Sequence, residues 1–110
     1  MNQRELIWVG FPYSDFSERK IRPALVVSND NYNAKSEDIV VCAITSNKKA
    51  AQYSVALNQK SMETGTLPLP SRVKADKIMQ ISKRLALKSF ARLDAKKFAE
   101  VADEIQKLIK

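Results

Sequence analysis

The sequence predicts a small, mainly β domain, an antiparallel barrel capped by one C-terminal helix. Three observations carry that expectation. Short runs of β-branched and aromatic residues recur from residue 6 onward, separated by polar turn segments. Only the last stretch has helical spacing, with Phe98, Val101, Ala102, Ile105, Leu108 and Ile109 on one face. The 110 residues suffice for a single domain, 1–110, with one core and little surplus stability.

Leu6-Ile7-Trp8-Val9-Gly10-Phe11 reads as the first strand and stops at Pro12. A polar loop over 13–21 follows; it is long for a hairpin and is the first place to look for function. Pro23-Ala24-Leu25-Val26-Val27-Ser28 is the second strand. Asn29-Asp30-Asn31-Tyr32-Asn33 reads as a turn, because Asn and Asp side chains bond their own backbone. The third strand covers 39–45 and breaks at Ser46-Asn47-Lys48-Lys49. A fourth, over 53–57, alternates with period two. Pro68 and Pro70 make 63–70 an extended connection. Further strands are expected over 71–75 and 77–82, while 86–92 fits either strand or helix. Asp94 is a good cap for the final helix, with Leu93 and Phe98 spaced as a hydrophobic staple.

The net charge is +7, from 19 Lys and Arg against 12 Asp and Glu. A polyanion such as nucleic acid is the simplest partner for that excess; an acidic protein or a lysine-solubilised surface meets the same charge. Histidine is absent, which removes the commonest general base and metal ligand. The carboxylates are scattered, so neither a metal nor a cofactor is expected. The single cysteine, Cys42, lies inside the apolar run Ile39-Val40-Val41-Cys42-Ala43-Ile44 and reads as a core residue in a reducing, cytoplasmic setting. No apolar run approaches the roughly 20 residues of a membrane span.

Three segments bring polar groups to strand ends. Ser14, Glu18, Arg19 and Lys20 lie in the first loop, and Arg22 precedes Pro23, whose ring favours extended backbone before it. A planar, permanently charged guanidinium there suits a phosphodiester. Thr45, Ser46 and Asn47 end the third strand with three hydrogen-bonding side chains. Arg72, Lys74 and Asp76 alternate with small or apolar residues, so all three share a face if this is a regular strand. Taken singly, each segment is more simply read as ordinary surface. Lys96, Lys97, Lys107 and Lys110 read as the solvated face of the last helix.

Taken in order, the segments resemble one family. Leu6-Ile7-Trp8-Val9-Gly10-Phe11-Pro12, Ser17-Glu18, Arg22-Pro23-Ala24-Leu25-Val26-Val27-Ser28, Ala43-Ile44-Thr45-Ser46, Ser71-Arg72-Val73-Lys74-Ala75-Asp76 and Ser82-Lys83-Arg84-Leu85 together resemble the MazF/PemK toxins over nearly the whole chain. The resemblance implies an SH3-like barrel of the CcdB/PemK type, a homodimer, and the toxin component of a type II toxin-antitoxin system. It implies a metal-independent endoribonuclease in which the 2′-hydroxyl of single-stranded RNA attacks its own phosphate, leaving a 2′,3′-cyclic phosphate. An acidic antitoxin is the implied protein partner, with DNA met only through the antitoxin complex and no membrane. Arg22 and Thr45 are the implied catalytic residues. Ser14, Glu18, Arg19, Lys20, Ser46, Asn47, Arg72, Lys74 and Asp76 are the implied substrate contacts. Two other readings stand beside this one: a CcdB-like toxin that binds gyrase, and a non-catalytic relative that binds nucleic acid or antitoxin.

The chain departs from that pattern in four places. Arg4-Glu5 stands where Gly-Asp or Gly-Glu is usual, and Gly10 where an acidic residue is common. No glycine lies between Glu18 and Arg22, and Lys77-Ile78-Met79 replaces a Gln-Ile-Arg run. The last change is expected to remove an RNA contact.

Overall fold

The computed structural model describes residues 1–12 and 19–110. Ser14 and Glu18 lie outside the described residues. The strands are β1 (Glu5–Pro12), β2 (Arg19–Val26), β3 (Asp38–Thr45), β4 (Ser54–Leu57), β5 (Met62–Gly65), β6 (Ser71–Ser82) and β7 (Ala86–Leu93). Two helices join them, α1 (Asp30–Lys35) and the C-terminal α2 (Ala95–Leu108). The strands pair antiparallel in the order β4-β6-β3-β2-β1-β7-β5 and curl into a half-barrel, the architecture expected.

Strand residues alternate between two apolar clusters, which is why the central strands read as unbroken apolar runs. Leu6, Leu25, Cys42, Ile44, Val55, Val73 and Leu93 enter one cluster, packed against Val101, Phe98 and Ile105 of α2. Ile7, Val9, Ala24, Val26, Ile39, Val41 and Ile81 enter the other, covered by Phe11, Met79, Leu85 and Ala86. A one-residue register slip would exchange the two sets, so pairing is strongly specified.

The final helix begins where its chemistry demands. Asp94 accepts a hydrogen bond from the Lys97 amide at 2.7 Å, satisfying a donor of the first turn. Leu93 is fully buried, and Phe98 packs on the cluster that contains it. Val101 is also fully buried, and such burial stabilises by about 1.5–3 kcal/mol. The buried stripe is shorter than expected. Ala102 is exposed, and Ile109 is 75% exposed beyond the helix end. Lys97 and Lys107 are neutralised locally, by Glu100 and by Asp103 with Glu104, as befits a solvated face.

Five local expectations change. The second strand starts at Arg19, so Arg22 lies inside it, opposite Val9, and not ahead of it. The Asn-rich turn winds into α1 because Asn29 caps it, accepting from the Tyr32 amide at 2.8 Å, and buried Asn33 donates to the Ser28 carbonyl at 2.9 Å. Part of the extended connection pairs with β7 as β5. The two strands of 71–82 are one, β6, and the ambiguous segment is β7.

Gly65 is required where β5 meets β7. Its φ is +79°, and a Cβ there would stand 2.3 Å from the Phe90 carbonyl oxygen and 2.5 Å from Ala91 Cα. Backbone cannot yield cheaply to such an approach. Gly65→Ala is expected to destabilise the fold by about 1–3 kcal/mol, read as a lowered midpoint in urea unfolding with the slope unchanged.

Candidate functional site

The site begins with a division of the sheet. β2 pairs with β3 only at Ala24–Ala43, Leu25–Cys42 and Val26–Val41. Beyond Ala24, β2 continues along β1 as far as Arg19, while β3 continues along β6 to the Thr45–Arg72 pair. The two strands therefore part, and a groove of about 740 Å³ opens at the divide. Pro23 falls in the stretch of β2 that has left β3, where a residue without an N–H is tolerated.

Counting outward from Ala24–Ala43, Arg22 on β2 and Thr45 on β3 are equivalent positions on one face, and both line the groove. Arg22 is exposed and Thr45 half-buried. The Thr45 hydroxyl oxygen accepts the Asn47 amide at 3.2 Å, so its own O–H points to other acceptors. Asn47 in turn accepts the Lys49 amide at 3.0 Å, folding the chain away from the strand end.

Among the described residues four cations line the groove, Lys20, Arg22, Lys74 and Lys77, and no carboxylate does. Among the described residues none of the four enters an ion pair. Like charges gathered without counter-charge attract an anion into the cleft. Thr45, Ser46 and Ser71 add hydroxyls, and the rest of the described lining is apolar. Trp8 stacks on Phe90 with centroids 4.7 Å apart, and Leu67, Pro68 and Leu69 stand on the loop before β6. Gln59 fastens that loop, donating to the Gly65 carbonyl at 3.0 Å and accepting the Leu67 amide at 2.8 Å. A basic cleft with aromatic faces suits an unpaired nucleic-acid strand, whose phosphates and bases make opposite demands.

The structure brings together Lys20, Arg22, Thr45, Ser46 and Lys74 of the residues singled out from sequence. It does not bring Arg72 there. That guanidinium turns to β4, donating to the Ser54 hydroxyl at 3.0 Å. Asn47 is spent on the turn, and Asp76 is exposed but lines no part of the groove. Arg19 lies on β2. Sequence reasoning missed Trp8, Phe90 and Lys77. Trp8 reads only as part of the first strand and Phe90 as part of a segment that fits either strand or helix, and the curl of the sheet puts both on a groove wall.

Cys42 is no nucleophile. It is fully buried, and burial, with the nearby Asp76 charge adding to it, pushes the thiol up to about 11. Among the described residues no group of three or more His, Cys, Asp or Glu could hold a metal ion.

Residues 2–109 match the family model described as PemK-like, MazF-like toxin of type II toxin-antitoxin system. The chain belongs to that toxin family. No curated protein sequence matches it. A MazE–MazF crystal structure from Deinococcus radiodurans is 25% identical, with TM-score 0.83, covering 99% of this chain and 95% of that one. A crystal structure of MazF alone from the same organism is 27% identical at TM-score 0.77, covering 99% and 96%. An endoribonuclease from a mycobacterial species, in complex with its cognate antitoxin, shares the fold at 17% identity and TM-score 0.81, covering 99% and 94%. Among the described residues no helix of this toxin is long and apolar enough to cross a membrane.

The raised thiol of Cys42 has a chemical consequence. A thiol reagent at pH 8 is expected to leave native Cys42 unmodified over minutes and to label one thiol per chain in denaturant. The unfolded thiol ionises first, so Cys42 contributes stability that is present below about pH 9 and lost as pH rises towards about 11.

Proposed function

We propose that this toxin is a metal-independent endoribonuclease that cleaves single-stranded RNA. The observation that carries the reading is that Arg22 and Thr45 stand at equivalent positions across a cationic groove lined, among the described residues, by no carboxylate. The 2′-oxygen bonds to phosphorus, the bond to the 5′-oxygen breaks, and the products are a 2′,3′-cyclic phosphate and a 5′-hydroxyl. The proton lost by the 2′-hydroxyl balances the one gained by the 5′-oxygen. Arg22 stabilises the charge that develops on the phosphorane oxygens and donates towards the leaving oxygen. Its very high pKa suits it to donation and not to the base role. Thr45 donates its O–H to a non-bridging oxygen. Lys20 and Lys74 hold the strand electrostatically, and the Trp8–Phe90 wall offers a face to a base.

An acidic antitoxin segment is the proposed inhibitor, on the same groove. The four lining cations suit its carboxylates, and Ile21 and Leu69, 58% and 48% exposed on the rim, suit apolar anchors. The Deinococcus MazF relative is crystallised with MazE. A single toxin domain over 1–110, acting as a cytoplasmic homodimer and meeting DNA only through the antitoxin complex, completes the reading.

Incubation with a defined RNA in EDTA is expected to give fragments with 2′,3′-cyclic phosphate and 5′-hydroxyl ends. Arg22→Ala is expected to slow cleavage by about 10²- to 10³-fold while leaving the circular dichroism spectrum unchanged. Intact RNA after incubation with antitoxin-free protein would overturn the reading. Inhibition of gyrase supercoiling in the same preparation would favour the CcdB-like alternative.

A further inference from the structure

β6 carries an irregularity at the groove. Thr45, Ile44 and Ala43 face Arg72, Val73 and Lys74 in regular register, and the next residue of β3, Cys42, faces Ile78. Three residues of β6, Ala75, Asp76 and Lys77, thus have no partner on β3. A regular strand would put Asp76 on the face of Lys74 and turn Lys77 to the other side. The bulge reverses that assignment. Ala75 is fully buried, and its amide donates to the Tyr53 carbonyl at 2.9 Å. Tyr53 itself has φ 55°, a strained setting for a side chain of that size, which fits a carbonyl held to this task. With Ala75 pinned, Lys77 joins Lys74 in the groove lining and Asp76 is left out of it.

We propose that Lys77 is a phosphate-binding residue, holding a phosphate of the RNA strand other than the one at Arg22 and Thr45. The inference rests on the RNA reading above. Lys77 immediately precedes Ile78, the partner of Cys42, which lies three residues along β3 from Thr45, or roughly 10 Å at the rise of a strand. It is exposed, and among the described residues it enters no ion pair. The other charged residues of the described lining are cationic, so an anion lowers the energy of the whole cluster, whereas a base edge leaves the repulsion standing. An ammonium on a long stem meets a phosphate oxygen without demanding one orientation. The position expected to have lost an RNA contact has thereby gained a cation.

Counterion release supplies the test. Binding of a single-stranded oligonucleotide that lacks 2′-hydroxyls, and so resists cleavage, is measured against NaCl concentration. Each phosphate contact on a single strand contributes about 0.7 to the slope of log K against log salt. Lys77→Gln is expected to reduce the slope by about that amount, and Lys77→Arg to keep it. Lys96→Gln, which removes the same charge from the exposed face of α2, is expected to leave it unchanged. A wild-type slope in Lys77→Gln, with binding by the parent protein intact, overturns the role of Lys77 alone. An equal loss in Lys96→Gln also overturns it, since net charge then explains the effect. Absence of salt-dependent binding by the parent protein overturns the RNA reading and this role together.

Discussion

Past Ala24 and Ala43 the sheet divides, and everything on the functional side of the molecule follows from that parting. A ladder that ran on would bring Arg22 and Thr45 to strand spacing and close the space between them. Each strand instead keeps its other neighbour, β2 its β1 and β3 its β6, so the divided ends stay ordered without each other. The apolar clusters on the two faces anchor both strands up to the divide. Backbone groups that would have been paired border a wet cleft, where water or a ligand can satisfy them.

The groove owes its sign to sorting as much as to composition. Carboxylates are not scarce in the chain, but none of the described ones lines the cleft. The bulge of β6 leaves Asp76 out, and Glu63 lies at the far edge, between Arg4 and Arg92. Arg72, which a regular strand would present beside Lys74, is withdrawn to Ser54. The cations that remain share the cleft with Trp8 and Phe90, and the cleft offers both charge and ring faces.

Much of this was legible in the sequence, for physical reasons that differ by element. The last helix was readable because its cap and staple are local. The strands were readable as elements because both faces of the sheet are buried, which writes long apolar runs. Their ends were less so. Polar residues 19–22 look like loop, and only pairing with β1 makes them strand. The Asn-rich segment carries the same residues whether it turns or caps, and the buried hydrogen bond of Asn33 decides for the helix. Of the site, Arg22 and Thr45 were found through an ordered resemblance, with no local signal strong enough alone. Lys77 was not singled out because period two fails across the bulge at 75–77, and a break between two expected strands does not say which way the next side chain turns.

The central claim is that Arg22 and Thr45, set apart by the divided sheet, act on one phosphate. A double-mutant cycle in single-turnover RNA cleavage tests it most directly, with Arg22→Ala, Thr45→Val and the pair together. Groups acting on one phosphate are coupled, so the double variant is expected to lose much less than the product of the two single losses. Losses that multiply would contradict the account, because they would place the two side chains in separate tasks.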